Sequence, residues 1–419
     1  MSEAEIINSA DEETIVVRQP IFDRDKAIWG YELVASGLPS PEGGDNAGAL
    51  SQLITSYKGA MSSISEQLSV DKKILLNLDH EAQLDCSCLP EGLDCCAFGV
   101  CGAVACSEQS TCFADTMRDN GGTVVVDCDL DSDALEKLMG KCDIVKVSLV
   151  GKTPPEIVQI RKEYKDFSGK LLATGIDTWE AFEGTRALGF KYFQGPFFAI
   201  PEVSEDVELP PSSVAKLQLL RELNNPGCDM EELSSIIAAD VSLSYRILKY
   251  INSASFGLKN HIKSIQQAVS LLGLNELKHW ATVVVMTDLD STPKGEELAY
   301  MALQRGRFLA NLAETIKDFK HSSNTMFMLG LFSKLDALLS YPMDRALDGI
   351  PLKQDIKDGL CGVLNEYRDW ILVLEAVEVG NWPIANDILG RYGACFTQAA
   401  TQYMKASSWA AQQLPDMKK

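Results

Sequence analysis

The sequence lacks the features that mark membrane proteins and nucleic-acid-binding proteins. No apolar run approaches the roughly 20 residues of a transmembrane helix, and no run of lysine and arginine offsets the net charge of −21. A chain this acidic repels nucleic acid and anionic membrane surfaces unless it carries a local basic patch. The N-terminal stretch MSEAEIINSADEET is acidic and polar, unlike a signal peptide. We therefore expect a cytoplasmic protein that binds neither nucleic acid nor membrane.

Histidine is scarce, and cysteine is not arranged as in common metal sites. The chain has 4 histidines, none followed by aspartate: His80, His261, His279 and His321. Of its 12 cysteines, a crowded group lies between Cys86 and Cys112. That group has no C-x2-C pair and contains no histidine, whereas zinc sites commonly use both. A structural metal there stays open, but packing of reduced cysteines is favoured. We expect no cofactor.

The chain of 419 residues is long enough for two or three domains. In its first half, short apolar strands alternate with helical patterns, which favours parallel βα units closing into a barrel. Residues 16 to 34 add two β segments joined by the polar turn at Asp23–Asp25. Further strand candidates are Lys73–Leu78, Thr123–Asp127, Asp143–Val147, Lys170–Ala173 and Tyr192–Phe193.

After the acidic, proline-containing segment Glu202–Ser213, the strands stop and apolar residues recur at helical spacing. One such stretch is Asn324–Leu339. The sequence thus predicts a shortened TIM-like α/β barrel over residues 1–205 and an all-α domain over residues 206–419.

The first half resembles an EAL domain, the bacterial barrel that hydrolyses cyclic di-GMP. The resemblance rests on short motifs in the family's order: QPI (Gln19–Ile21), YELVASG (Tyr31–Gly37), LLNLD (Leu75–Asp79), VVVDCDL (Val124–Leu130), DIVKVS (Asp143–Ser148), ATGIDT (Ala173–Thr178) and FQGPFF (Phe193–Phe198). It implies that Gln19, Glu32, Asn77, Asp127, Lys146, Asp177 and Gln194 mark the remains of that family's pocket.

The resemblance also implies that the metal ligands are depleted. The family supplies its divalent cations with carboxylates and an asparagine from the strand ends, of which Glu32 and Asn77 are kept. Cys128 replaces the second aspartate of a pair, and Thr174 replaces a glutamate. The strand near Ala97–Val104 has no acidic residue, and Ser36 stands where the family has a phosphate-clamping arginine. Because two-metal hydrolysis needs those carboxylates, we expect no phosphodiesterase activity, and Glu32 becomes a vestigial ligand.

The second half resembles an HDOD domain, a helical relative of the HD hydrolases that lacks their histidine–aspartate metal pair. The residues that carry the resemblance are AADVSLSYRILKYINSASFG (Ala238–Gly257) and SIQQAVSLLGLNEL (Ser264–Leu277). Within the first stretch, Asn252, Phe256 and Gly257 are predicted to form a structural turn, because asparagine caps backbone groups and glycine ends helices. An exposed loop is the alternative.

Both halves thus carry the motifs of their families but lack most of the residues that would bind metal ions. The leading hypothesis is a non-catalytic bacterial signalling protein that docks other regulatory proteins. A receptor that binds cyclic di-GMP without cleaving it is the alternative, and a weakly active phosphodiesterase is less favoured.

Overall fold

The structure is a computed structural model that describes residues 15–36, 72–78, 81–84, 93–129, 132–202, 209–225, 227–252 and 262–418. By internal contacts the chain divides into two compact units. The first unit comprises residues 1–198 together with Glu375–Ile384 and Ala399–Met404. The second unit comprises the remaining residues from Ala199 onward.

The described residues of the first unit form a closed barrel of eight strands in sequential order. The strands are β1 (Ile15–Asp23), β2 (Ile28–Ser36), β3 (Lys73–Leu78), β4 (Cys96–Val100), β5 (Thr123–Asp127), β6 (Ile144–Ser148), β7 (Lys170–Thr174) and β8 (Tyr192–Gln194). β1 is antiparallel to both β2 and β8, and the other neighbours are parallel. The predicted α/β barrel is confirmed. β4 was not among the strand candidates taken from the apolar pattern, although the family resemblance implied a strand near Ala97–Val104.

Helices follow the parallel strands, as βα units require. They are α1 (Gly102–Ala105), α2 (Gln109–Asp119), α3 (Ser132–Met139), α4 (Pro154–Glu163) and α5 (Trp179–Ala187). Local sequence starts α4, because Thr153 and Glu156 form a capping box and prolines occupy its first turn. Thr178 caps α5 by accepting a hydrogen bond from the Ala181 amide. The starts of α4 and α5 are therefore set by the residues that directly precede them.

The barrel interior is built in layers. An apolar layer consists of Ile21, Leu75, Ala97, Val125, Ile144, Leu172 and Tyr192, all buried. Because strand side chains alternate between faces with a period of two, the next interior position lies two residues further along each parallel strand. The barrel therefore presents a second interior layer at the carboxyl ends of its strands.

The described part of the second unit is helical, as predicted. Its helices, some of which extend into the first unit, are α6 (Pro211–Leu223), α7 (Met230–Ala239), α8 (Val241–Ile251), α9 (Ile265–Leu272), α10 (Leu274–Thr287), α11 (Pro293–Thr315), α12 (Ser323–Phe332), α13 (Leu335–Leu339), α14 (Met343–Ala346), α15 (Gln354–Leu360), α16 (Glu366–Glu378), α17 (Trp382–Arg391) and α18 (Phe396–Lys418). None of the helices among the described residues has the length and apolarity needed to cross a membrane.

The structure adds detail to one of the predicted helical stretches. Asn324–Leu339 is two helices, α12 and α13, separated at Ser333 and Lys334. The Ser333 hydroxyl donates to the Gly330 carbonyl at 2.6 Å and accepts from buried Arg305 at 3.0 Å. Serine hydroxyls that bond to nearby backbone compete with helix propagation, so the chain turns there although its apolar spacing continues.

Candidate functional site

The second interior layer of the barrel is polar. Each of its members lies two residues from a member of the apolar layer or from Gly30, and we call this set the polar ring: Gln19, Glu32, Asn77, Asp127, Lys146 and Gln194. These are six of the seven pocket residues predicted from the sequence. The ring lies at the carboxyl ends of the parallel strands, which is where barrel enzymes carry their active sites.

Glu32 is the centre of the ring's hydrogen bonds. Its Oε1 accepts from Asn77 Nδ2 at 2.5 Å and from Lys146 Nζ at 2.8 Å. Its Oε2 accepts from Gln194 Nε2 at 2.5 Å. Only 4% of the residue is exposed, so these three donors replace water as its partners. The carboxylate is fully engaged by the protein itself.

The charges of Glu32 and Lys146 stabilise each other. Burial would raise the pKa of the Glu32 carboxyl, but the charge and hydrogen bond of Lys146, with bonds from Gln194 and Asn77, lower it below its usual value. Burial would lower the pKa of the Lys146 ammonium, but the charge and hydrogen bond of Glu32, with the charge of Asp127, raise it. Both groups are therefore charged near neutral pH, as a buried ion pair.

Asp127 has a different environment. Burial raises the pKa of its carboxyl, and the nearby Lys146 charge offsets that effect only in part. The thiol of Cys101 hydrogen-bonds to Asp127, and burial raises the pKa of Cys101 to about 12. Cys101 is therefore a neutral thiol beside the ring. It was missed as a site residue, although its place two residues beyond Gly99 gave the signal.

Gly99 stands in the ring where a carboxylate was sought on β4. It pairs with Asn77 of β3, and a Cβ at residue 99 would overlap the Asn77 Oδ1 atom. The Asn77 amide thus fills the space that a β4 side chain would need. Asn77 Oδ1 is buried and has no hydrogen-bond partner within the described residues. A carboxylate side chain at position 99 would therefore require Asn77 to move.

The other residues that differ from the family's metal ligands do not hydrogen-bond to Glu32, whose donors are Asn77, Lys146 and Gln194. Thr174 is buried at the end of β7, while Asp177 follows β7 in a loop and is exposed. The Cys128 thiol hydrogen-bonds to Asp129 at 3.6 Å. The seventh predicted pocket residue, Asp177, is thus solvent exposed, unlike the ring residues.

This donor set does not fit a two-metal centre. A divalent cation needs several free carboxylate or carbonyl oxygens around it, but both Glu32 oxygens already accept hydrogen bonds, and an ammonium lies 2.8 Å from Oε1. Within the described ranges, no group of three or more histidine, cysteine, aspartate and glutamate side chains is arranged to hold a metal. Cys86 and Cys88 of the cysteine-rich stretch lie outside those ranges.

A comparison with known protein families finds a match within the second half. A family model described as the HDOD domain matches residues 209–345. This chain contains an HDOD domain. Two relatives are similar over nearly the whole chain. "Cyclic di-GMP phosphodiesterase CdgJ" of Vibrio cholerae serotype O1 is 28% identical over 410 residues, which cover 95% of this chain and 92% of CdgJ. "Uncharacterized protein YuxH" of Bacillus subtilis strain 168 is 27% identical over 408 residues, covering 94% and 97%.

Solved structures similar to the first half include an EAL domain protein from Listeria monocytogenes EGD-e. It is 18% identical, covers 47% of this chain and 92% of its own, and aligns with a TM-score of 0.34. The predicted resemblance to EAL–HDOD proteins is confirmed, since the HDOD model matches the second half and CdgJ is similar through both halves.

In the HDOD domain, Asn252 joins the two ends of a nine-residue stretch. Its Nδ2 donates to the Leu248 carbonyl at 2.7 Å and to the Ile262 carbonyl at 2.8 Å. Its Oδ1 accepts from the Ile262 amide at 2.7 Å. Asn252 therefore caps α8 and holds the backbone of Ile262 next to the end of that helix. Phe256 and Gly257, predicted to share this turn, lie outside the described residues.

Proposed function

We propose that this protein is a non-catalytic signal-transduction protein whose EAL-type barrel and HDOD domain act as docking and regulatory modules. One observation carries the proposal: the Lys146 ammonium pairs with Glu32, and both oxygens of this carboxylate accept hydrogen bonds from the protein. Glu32 is the glutamate that, by the family resemblance, corresponds to a metal ligand. Displacing that ammonium in favour of a metal would require breaking a buried ion pair, which is strongly destabilising.

The lack of a β4 carboxylate supports the same proposal. Gly99 cannot be replaced by a ligand-bearing residue without moving Asn77. Asp127, the remaining ring carboxylate, has a raised pKa because it is buried. A ring with one paired glutamate and one buried aspartate carries too little free negative charge to hold two divalent cations.

Hydrolysis of cyclic di-GMP by the purified full chain tests the proposal. The chain is incubated with cyclic di-GMP and Mg²⁺ or Mn²⁺, and linear product is measured by chromatography, with the V. cholerae relative CdgJ as positive control. We expect no product above the buffer blank. Product that disappears in Glu32→Ala would overturn the proposal, because it would demonstrate a working site.

A receptor for cyclic di-GMP is the alternative, and one observation favours it. The structure assembles six predicted pocket residues in one ring, three of which carry amide side chains able to hydrogen-bond a nucleobase: Gln19, Asn77 and Gln194. Isothermal titration of the full chain with cyclic di-GMP, without metal, separates the two functions. Saturable heat that is lost in Lys146→Met identifies a receptor.

A further inference from the structure

Part of the C-terminal region belongs to the barrel's own unit. Glu375–Ile384 groups by contacts with residues 1–198. This segment contains the end of α16, a turn and the start of α17. Gly380 sits in the turn with φ 75°, and its amide donates to the Val377 carbonyl at 3.0 Å. A glycine at positive φ is the usual way to end a helix, so this turn is set by the local sequence.

The segment bonds directly to a member of the polar ring. Gln19 Nε2 donates to the Glu378 backbone carbonyl at 3.1 Å. The other end of the same amide, Gln19 Oε1, accepts from Gln194 Nε2 at 3.1 Å, and Gln194 in turn donates to Glu32. A continuous line of hydrogen bonds thus runs from the segment's backbone to the buried carboxylate.

A second contact places the segment at the open end of the barrel. Val34 lies two residues beyond Glu32 on β2, so its side chain is the next interior position towards the carboxyl ends of the strands. A Cβ at Gly380 would lie 3.5 Å from Val34 Cγ1, which puts the Gly380 backbone beside that side chain. The turn therefore lies above the ring on the side from which a ligand enters such barrels.

We propose that Glu375–Ile384 is an intramolecular cover of the barrel mouth, which must move aside before any ligand reaches Glu32 and Lys146. Two of its contacts with the barrel are the hydrogen bond from Gln19 and the apolar contact with Val34. A short segment such as this one opens by local unfolding, at a lower free energy than unfolding of the whole chain. A covered ring excludes a substrate and a ligand that is not hydrolysed alike.

The test compares two glycines in the full chain. Gly380 and Gly393 both have φ 75°, so leucine strains the backbone equally at either position. Only at Gly380 does the new side chain meet Val34, since nothing lies within 4 Å of a Cβ at Gly393. The readouts are amide hydrogen exchange of peptides covering residues 375–384 and peptide-resolved alkylation of Cys101, the thiol beside the ring.

We expect Gly380→Leu to accelerate exchange in the segment and alkylation of Cys101 by about tenfold or more. Both rates rise because the disrupted contact makes local opening of the segment more frequent. Gly393→Leu should leave both rates within about twofold of the unmodified chain. A second variant, Gln19→Leu, removes the donor to Glu378 and should speed exchange of the segment by roughly 2- to 10-fold, the value of one hydrogen bond.

Two outcomes would overturn the cover. In the first, the two glycine variants change both readouts equally. In the second, Gly380→Leu speeds exchange of the segment but leaves the alkylation rate of Cys101 unchanged. If Gly380→Leu does not fold, Gln19→Leu alone decides, and unchanged exchange of the segment in that variant rejects the proposal.

Discussion

Lys146 on β6 and Glu32 on β2 form an ion pair across the barrel interior, with 2.8 Å between Nζ and Oε1. The pair joins residues 114 positions apart in sequence, and both side chains are largely buried. An ammonium in this place supplies the positive charge that the buried carboxylate needs.

Lys146→Met tests that relationship. Removing one partner of a buried pair leaves an uncompensated charge, so we expect a loss of about 3–5 kcal/mol in the free energy of unfolding. Denaturant unfolding of the full chain measures it. The double variant Glu32→Gln/Lys146→Met should recover most of the loss, because the Glu32 charge is removed together with its partner.

Lys152→Met is the matched control. Lys152 pairs with Asp129 at 3.5 Å, and the Asp129 side chain is 62% exposed. An exposed pair contributes about 0–1 kcal/mol. A cost for Lys152→Met as large as that for Lys146→Met would mean that lysine removal, rather than the buried pair, causes the effect.

The two ring carboxylates should respond to pH in opposite directions. The pKa of Glu32 is lowered by folding, so its contribution is present above its unfolded value of 4.5 and is lost as pH falls through the folded value. The pKa of Asp127 is raised by folding from 3.8. Its ionisation therefore costs stability, and that cost appears as pH rises from 3.8 through the folded value.

Asp127→Asn should accordingly stabilise the barrel at pH 7 relative to the unmodified chain, and the gain should vanish below pH 3.8, where both forms are neutral. Melting temperatures of both proteins across this range measure the difference, with Asp129→Asn as an exposed control. A gain independent of pH would show that packing, not ionisation, separates the two proteins.

Gly99→Ala should destabilise the barrel although alanine is only one methyl larger. The added Cβ would overlap Asn77 Oδ1, and overpacking a filled core costs typically about 1–3 kcal/mol. Gly140→Ala is the control, since nothing lies within 4 Å of a Cβ there. Shortening the neighbour in Gly99→Ala/Asn77→Ser should restore stability. Failure of that rescue would locate the strain elsewhere.

The six ring residues were predicted from the family resemblance, and strand periodicity explains why they share one face of their strands. Leu75 and Asn77, then Ile144 and Lys146, alternate with residues on the other face, and the motifs supplied their order. The apolar pattern missed β4 because its sequence, CAFGV, has alanine and glycine where strands usually carry β-branched residues. Only the family resemblance indicated a strand near Ala97–Val104. The bond between Gln19 and Glu378 joins residues 359 apart, and no local pattern encodes a contact of that range.

Asn252→Ala should lower the free energy of unfolding of the HDOD domain, although the change removes only a few atoms. The variant removes the α8 cap and both bonds to Ile262, leaving part-buried backbone groups unpaired at a cost of about 1–3 kcal/mol. Asn120→Ala is the matched control, because Asn120 Nδ2 makes the same kind of bond to the carbonyl four residues back, on an exposed helix end. That change should cost under about 0.5 kcal/mol, as at other surface sites.

Denaturant melts of both variants measure the difference. Equal small costs would show that Asn252 only caps its helix and that the exposed-loop alternative holds for the residues that follow it.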